Sequence, residues 1–417
     1  MRARRVHWVP GYSAYYSDDQ KAIKAGATKD GFVYLGDPAT PGFRSVRQPG
    51  ECISVVLELE NGAIAVGDCA AVQYSGAGGR DPLFLANEAS MRGLSRLTNE
   101  LLERDLSTYL ENSRYFDALE LDGNRLHTAL RYGISQALLN ATASSTGRLP
   151  VEVLAQEFNL PIIAKSIPLF AQSGDDRYIG ADKMILKRMD ALPHGLFNTV
   201  PDKVGSRGEG LAEYLQWLVR RIALLRSDTS YSPDIHFDVY GLIGTVFDSK
   251  VTRIIDYLLE LEHIAGPHRL YVEGPVDAGS KAAQIALLGE IAEGLRTRGS
   301  RVRLVADEWC NTKDDVTEFV AARCCDMIQI KTPDLGGLHN VVEAILECHD
   351  GGVFAYQGGT CNETDISAKC CVHVALAARP VRLLVKPGMG FDEGLTIVRN
   401  EMHRAIAVTA ARVKGTQ

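Results

Sequence analysis

The chain has no apolar run of 18 residues, so the sequence signal of a membrane-spanning helix is missing from its 417 positions. It also has no cluster of Lys and Arg, and its formal charge is −7, which excludes the electrostatic footprint of a nucleic-acid or anionic-lipid binder. The cysteines number nine, an odd count, and none forms a CxxC pair. The adjacent pairs Cys324-Cys325 and Cys370-Cys371 cannot close an ordinary local disulfide. These thiols therefore read as reduced and mostly buried, as in a cytoplasmic protein. The opening MRARRVHWVPGYS carries three arginines without a following apolar stretch or a small-residue cleavage site, so it does not read as a signal or transit peptide. Neither GxGxxG nor GK[ST] occurs, which removes the dinucleotide and P-loop fingerprints.

What is present is a long chain with 46% hydrophobic and 23% charged residues, enough to bury a large core and too long for one ordinary domain. Residues 1–160 read as an α+β capping domain. ISVVLELENGAIAVGDC, from Ile53, places two β-rich runs around Asn61-Gly62, a hairpin signal. The helical pattern LHTALRYGISQALLNATA follows from Leu126. Between them, AVQYSGAGGRDP (71–82) suits a lid or solvent loop better than a phosphate cradle, because no strand-to-helix context surrounds it.

Residues 161–417 repeat strand, loop and helix. Candidate strands are IPLFAQ from Ile167, KMILK from Lys183, IHFDVYG from Ile235, LYVEGP from Leu270, VRLVADEW from Val302, MIQIKTP from Met327, VFAYQGG from Val353 and RLLVKPG from Arg382. Amphipathic stretches such as EYLQWLVRRIALLR and NVVEAILECH lie between them. Eight strands alternating with helices over roughly 250 residues predict an α/β fold with a (β/α)8 TIM-type barrel, ahead of a doubly wound open sheet.

In such a barrel the working residues stand at the carboxyl ends of the strands. Asp238, Glu273 and Asp307 occupy those ends on three consecutive strands, spaced by about one strand–helix unit, and Lys331 closes the next. Three carboxylates on one rim repel one another unless a cation lies between them, and oxygen-only ligands with an incomplete shell favour Mg²⁺. The amine of Lys331, beside a divalent ion and away from bulk water, would have its charged form disfavoured and could act as a general base. On the residues alone, a snorkelling lysine and helix-capping acids stay open. So do a Schiff-base lysine, a scaffold without activity, and a nucleophilic Cys361-His194 pair.

The motifs GYSAYYSDDQKAIKAG, SVRQPGEC, GDCAAVQYSGAGGRDPLF, QSGDDRYI, YVEGPVDAG, ADEWCNT, QIKTPDLGG, YQGGTCNET and KPGMGFDEG resemble the methylaspartate ammonia-lyase family of the enolase superfamily, from about residue 11 to residue 400. The resemblance implies an enolase-like architecture and Mg²⁺ held by Asp238, Glu273 and Asp307. It implies elimination of ammonia from (2S,3S)-3-methylaspartate to give mesaconate, with Lys331 removing the C3 proton and Mg²⁺ stabilising the aci-carboxylate. His194, in DALPHG, matches the histidine linked to the other C3 epimer. Gln73, Gln172, Gln329, Thr360 and Cys361 match substrate-contacting positions. Leu384, on the eighth strand, is a plausible wall of the pocket for the C3 substituent. The family further implies a homodimer, a role in bacterial glutamate fermentation, and a small amino-acid substrate as the partner; help from a monovalent cation such as K⁺ stays open. A related dehydratase or cycloisomerase is the alternative, because it would share the metal and the base.

Overall fold

The computed structural model describes residues 1–87, 91 and 93–415, the side chains of 413–415 excepted. Its amino-terminal part is built on three antiparallel strands, Ala3–Asp18, Arg47–Leu59 and Ile64–Ala70. The second and third meet at the expected hairpin, where Gly62 adopts φ +82° and Asn61 Oδ1 accepts from the Ala63 amide at 3.0 Å. A short exposed hairpin, Thr28–Asp30 and Val33–Leu35, projects from the first connection.

The helix Thr128–Thr146 packs on the sheet and ends at Gly147, whose φ of +64° closes its last turn. Sheet and helix approach at two glycines. A Cβ on Gly67 would meet the Gly133 carbonyl at 2.0 Å, and one on Gly133 would meet Cys69 Sγ at 2.4 Å. The backbones touch there because neither residue has a side chain.

Eight parallel strands then close a barrel in chain order: Leu169–Phe170, Ala191–His194, Asp234–Asp238, Leu270–Glu273, Arg303–Ala306, Met327–Ile330, Phe354–Gln357 and Arg382–Leu384. The strands are short and covered on both sides, so their sequences are mostly apolar. Phe170, Tyr271, Val305, Met327, Tyr356 and Leu384 fill the interior, while Ile328 and Ile330 pack outward in the main core. The period-two pattern of MIQIKTP thus separates an outer apolar face from an inner face that ends in Gln329.

KMILK is not a strand. Lys183–Lys187 belongs to the end of the helix Arg177–Leu186, where Ala181, Met184 and Ile185 are buried at helical spacing. The second barrel strand is ALPH, Ala191–His194. Pro193 and the flanking loop residues hide it, since proline inside a run argues against a central strand. His194 therefore ends the strand itself, with φ +65°.

The amino-terminal sheet is tied to the barrel's carboxyl-end loops. Thr364, which caps the helix Asp365–Ala378, donates through Oγ1 to Asp68 Oδ2 at 2.6 Å, and Ser13 donates to Asn362 at 3.0 Å.

Gly133→Ala is expected to lower stability by about 1–3 kcal/mol, because the added methyl must push the sheet off the helix. Gly289→Ala, within the helix Lys281–Thr297 and with its nearest neighbour 3.8 Å from the new methyl, is expected to stabilise by about 0.5–1 kcal/mol. Denaturant midpoints of the two variants should move in opposite directions.

Candidate active site

Strand register sets the rim. Asp238 pairs with Glu273 at the ends of adjacent strands, and Asp307 follows Ala306 one residue beyond the next. The chain turns sharply at each exit, with left-handed conformations at Tyr240, Gly274 and Trp309. The three carboxylates are buried and offer oxygens that all lie within 4.8 Å of one another.

Two unit charges 4 Å apart repel by about 4 kcal/mol at an effective dielectric constant of 20. The cluster shows that strain in its protonation. Burial, then the charges of Asp307 and Glu308, pushes the Asp238 carboxyl well above its ordinary range. Burial, then Asp238 and Asp307, does the same to Glu273. Burial also raises Asp307, but Lys331 and Arg80 outweigh it and hold that carboxyl low.

Lys331 Nζ sits 2.6 Å from Asp307 Oδ1. Burial and Arg80 push its amine pKa down, yet Asp307, Glu308 and Asp334 outweigh them and leave it raised. Protein groups alone therefore do not produce the lowered value expected of a base. Positive charge among the carboxylates is needed to reverse the balance.

His194 Nε2 stands 3.6 Å from Asp238 Oδ2, and its buried Nδ1 has no hydrogen-bond partner among the described residues. Burial lowers its pKa to about 4, so the ring is neutral near pH 7 and able to accept a proton.

One cavity gathers Gln73, Gln172, His194, Asp238, Asp307, Gln329, Lys331, Thr360, Cys361 and Leu384. Glu273 lies beneath it and is fully buried. It accepts from Tyr356 Oη at 2.7 Å and from Gln329 Nε2, and lies 2.9 Å from His236 Nε2. Gln172 Nε2 donates to the Gly388 carbonyl at 2.9 Å, and the Gln73 backbone N–H donates to Thr360 Oγ1 at 3.2 Å. Every residue picked out in the sequence thus lies at this one site.

The glycine-rich segment 71–82 forms turns, and Val72, Gln73, Tyr74 and Arg80 from it line the cavity. Arg80, from its end, donates to Asp334 at 2.8 Å and lies 3.6 Å from Glu308, while Asn311 Nδ2 donates to the Gly78 carbonyl at 2.6 Å.

Sequence reasoning missed Tyr356, Arg80, Glu308 and a fully buried pair, Lys386 and Glu363. Lys386 Nζ donates to Glu363 Oε1 at 2.8 Å, to Thr332 Oγ1 at 3.0 Å and to the Gly358 carbonyl at 2.6 Å. Only the lysine in KPG, at the end of the eighth strand, hinted at this pair.

A family model for the methylaspartate ammonia-lyase N-terminus matches residues 1–159, and one for its C-terminus matches residues 161–411. The chain belongs to the methylaspartate ammonia-lyase family. A methylaspartate ammonia-lyase of Citrobacter amalonaticus is 60% identical over 98% of this chain and 99% of its own, and one from Carboxydothermus hydrogenoformans is 55% identical over 98% and 97%. The crystal structure of the Citrobacter amalonaticus enzyme containing (2S,3S)-3-methylaspartic acid superposes with a TM-score of 0.97 at 59% identity, covering 98% of this chain and all of that one. The Mg complex of β-methylaspartase from Clostridium tetanomorphum gives 0.93 at 47% identity, covering 99% and 100%. Muconate lactonizing enzyme from Pseudomonas putida, at 13% identity and a TM-score of 0.60 over 90% of this chain and 85% of that one, shares the fold alone.

Replacing Lys386 by Met is expected to cost about 3–5 kcal/mol, because Glu363 is left charged and unpaired in the core. Lys386→Met combined with Glu363→Leu should recover a large part of that loss in a denaturant titration.

Proposed function

We propose that this protein eliminates ammonia from (2S,3S)-3-methylaspartate to give mesaconate, and that the cavity between Lys331 and His194 is where it does so. The observation that carries the reading is the buried triad of Asp238, Glu273 and Asp307 with an amine 2.6 Å from its edge. Identities of 60% and 55% to methylaspartate ammonia-lyases over nearly the whole chain support the same substrate.

The triad fits Mg²⁺. All its donors are carboxylate oxygens, they converge within 4.8 Å, and their burial pushes two of the three carboxyls up, a cost that a divalent ion offsets. Bound there, Mg²⁺ supplies the positive charge that stabilises a substrate carboxylate as negative charge develops on it.

Lys331 takes the proton from C3, the carbon next to that carboxylate. The C3–H electron pair shifts onto that carboxylate as the proton leaves, then returns to form the C2=C3 bond while the C2–N bond breaks, and the C2–N electron pair leaves on nitrogen, turning the ammonium into ammonia. The proton stays on the Lys331 amine. Gln172, Gln329 and the Thr360-Cys361 backbone bind and orient the polar ends without adding charge to a crowded site. Leu384 bounds the space for the C3 methyl group. His194, neutral at pH 7, serves as the base on the opposite face and handles the other C3 epimer.

We also place the division between a capping unit and the barrel near residue 160, since the antiparallel sheet precedes that point and all eight barrel strands follow it. Nine unpaired, buried cysteines suit a reducing, cytoplasmic setting, and the resemblance to the family supports a homodimer. Among the described residues no helix is long and apolar enough to cross a membrane.

Lys331→Ala is expected to lower kcat on (2S,3S)-3-methylaspartate by roughly 10²–10⁴-fold, read from mesaconate absorbance in the ultraviolet. EDTA should abolish the wild-type rate and Mg²⁺ should restore it. Full activity in EDTA would remove the metal assignment. His194→Ala should lose far more activity on the (2S,3R) epimer than on (2S,3S), and equal losses would remove the two-base reading.

A further inference from the structure

Two sequence motifs, GYSAYYSDDQ and SVRQPGEC, enter no step described so far. The structure brings them together beside the active-site cavity. Asp18 ends the first strand and Arg47 opens the second, and both are buried. Arg47 Nε and Nη2 donate to the two Asp18 oxygens at 2.7 Å each, and Nη1 donates to the Phe32 carbonyl at 2.8 Å. The guanidinium also lies over the rings of Phe32 and Tyr34, 4.5 and 4.9 Å from their centres. The pair is thus fixed from several sides and carries no net charge.

Gln73 Nε2 donates to Asp18 Oδ2 at 2.7 Å. A carboxylate only accepts, so the nitrogen of the Gln73 amide must face Asp18 and its oxygen must face away. On that other side Cys361 Sγ donates to Gln73 Oε1 at 3.3 Å. Burial pushes the Cys361 thiol up to about 12, so it keeps the hydrogen it donates. One amide orientation satisfies both neighbours, and the flipped one would turn its oxygen on the Asp18 carboxylate, which cannot donate. Gln73 and Cys361 line the same cavity as Lys331. An amide oxygen accepts two hydrogen bonds, and the second is available to a donor in that cavity. Of the polar groups on an amino dicarboxylic acid, only the ammonium donates.

We propose that Asp18, clamped by Arg47, is a positioning residue that holds the Gln73 amide with its oxygen toward the cavity, where it accepts from the substrate's C2 ammonium. This rests on the methylaspartate reading above. The amide keeps this acceptor aimed at the nitrogen that departs, while the charge of Asp18 is spent on Arg47 and does not draw the ammonium out of place.

The test uses Mg²⁺-loaded protein carrying Lys331→Ala, whose turnover is expected to be slowed roughly 10²–10⁴-fold, titrated in a calorimeter with (2S,3S)-3-methylaspartate and with 2-methylsuccinate, which lacks the ammonium. Adding Asp18→Ala is expected to weaken methylaspartate about tenfold or more, as loss of one hydrogen bond to a charged group does, and to leave methylsuccinate nearly unchanged. In a Gln73→Leu background the same change should add nothing, because both act through one amide. Should Asp18→Ala fail to fold, Asp18→Leu with Arg47→Met removes both partners of the buried pair and leaves Gln73 without its acceptor; the same selective loss is expected. Equal weakening of both ligands, or additive effects with Gln73→Leu, overturns the positioning role. A Lys331→Ala protein that binds neither ligand overturns the substrate assignment, and this role with it.

Discussion

Mutual repulsion among Asp238, Glu273 and Asp307 is the constraint that the rest of this structure answers. Each is buried, and their oxygens converge within 4.8 Å. Left to themselves, such groups take up protons, which is the direction burial drives in Asp238 and Glu273. A fold that keeps them together must therefore hold the strand ends rigidly and provide positive charge nearby. The barrel does the first, since parallel strands in fixed register leave their carboxyl ends no freedom to splay. Lys331 and Arg80 do part of the second, and they bear mainly on Asp307.

The division of labour around the cavity follows from that constraint. The barrel contributes the three carboxylates and Lys331, each at a strand exit, and the charge that enters from segment 71–82, Arg80, is paired with Asp334. The segment that leaves the amino-terminal sheet contributes Gln73, which is neutral, and the charged residues behind Gln73 cancel as the pair of Asp18 and Arg47. Another net charge on this side would compete with the carboxylate cluster for the ions of the substrate. Neutral amides fix direction without entering that competition.

Much of this was legible in the sequence because barrel chemistry is written at strand ends. IHFDVYG, LYVEGP, VRLVADEW and MIQIKTP each show an apolar run that stops at an ionisable residue, and all four strands stand where expected. The second strand was not legible. ALPHG contains the residues that usually mark a loop, while KMILK nearby has the composition of a strand but packs Ala181, Met184 and Ile185 along one side of a helix. Tertiary closure of the barrel overrode local preference at both places. Asp18 and Arg47 stood inside motifs that carried the family resemblance, yet neither residue type signals anything on its own. Their meaning lies in a contact 55 residues away, from Asp18 to Gln73, which no local pattern encodes.

The buried pair of Lys386 and Glu363 shows why a site with so many charges must also be supported from behind. Lys386 reaches from the end of the eighth strand to the Gly358 carbonyl, and both Lys386 and Glu363 meet Thr332, the residue after Lys331. Glu363 also accepts from Tyr132 at 3.0 Å, a residue of the helix that packs on the amino-terminal sheet. A single ion pair thus joins the exits of the sixth, seventh and eighth strands to the capping helix. Replacing it with apolar side chains would keep the core full but would give up that directional link, because packing contacts fix distance more readily than orientation. Thr332, which both members of the pair meet, directly follows Lys331, so the pair holds the backbone from which that amine reaches Asp307.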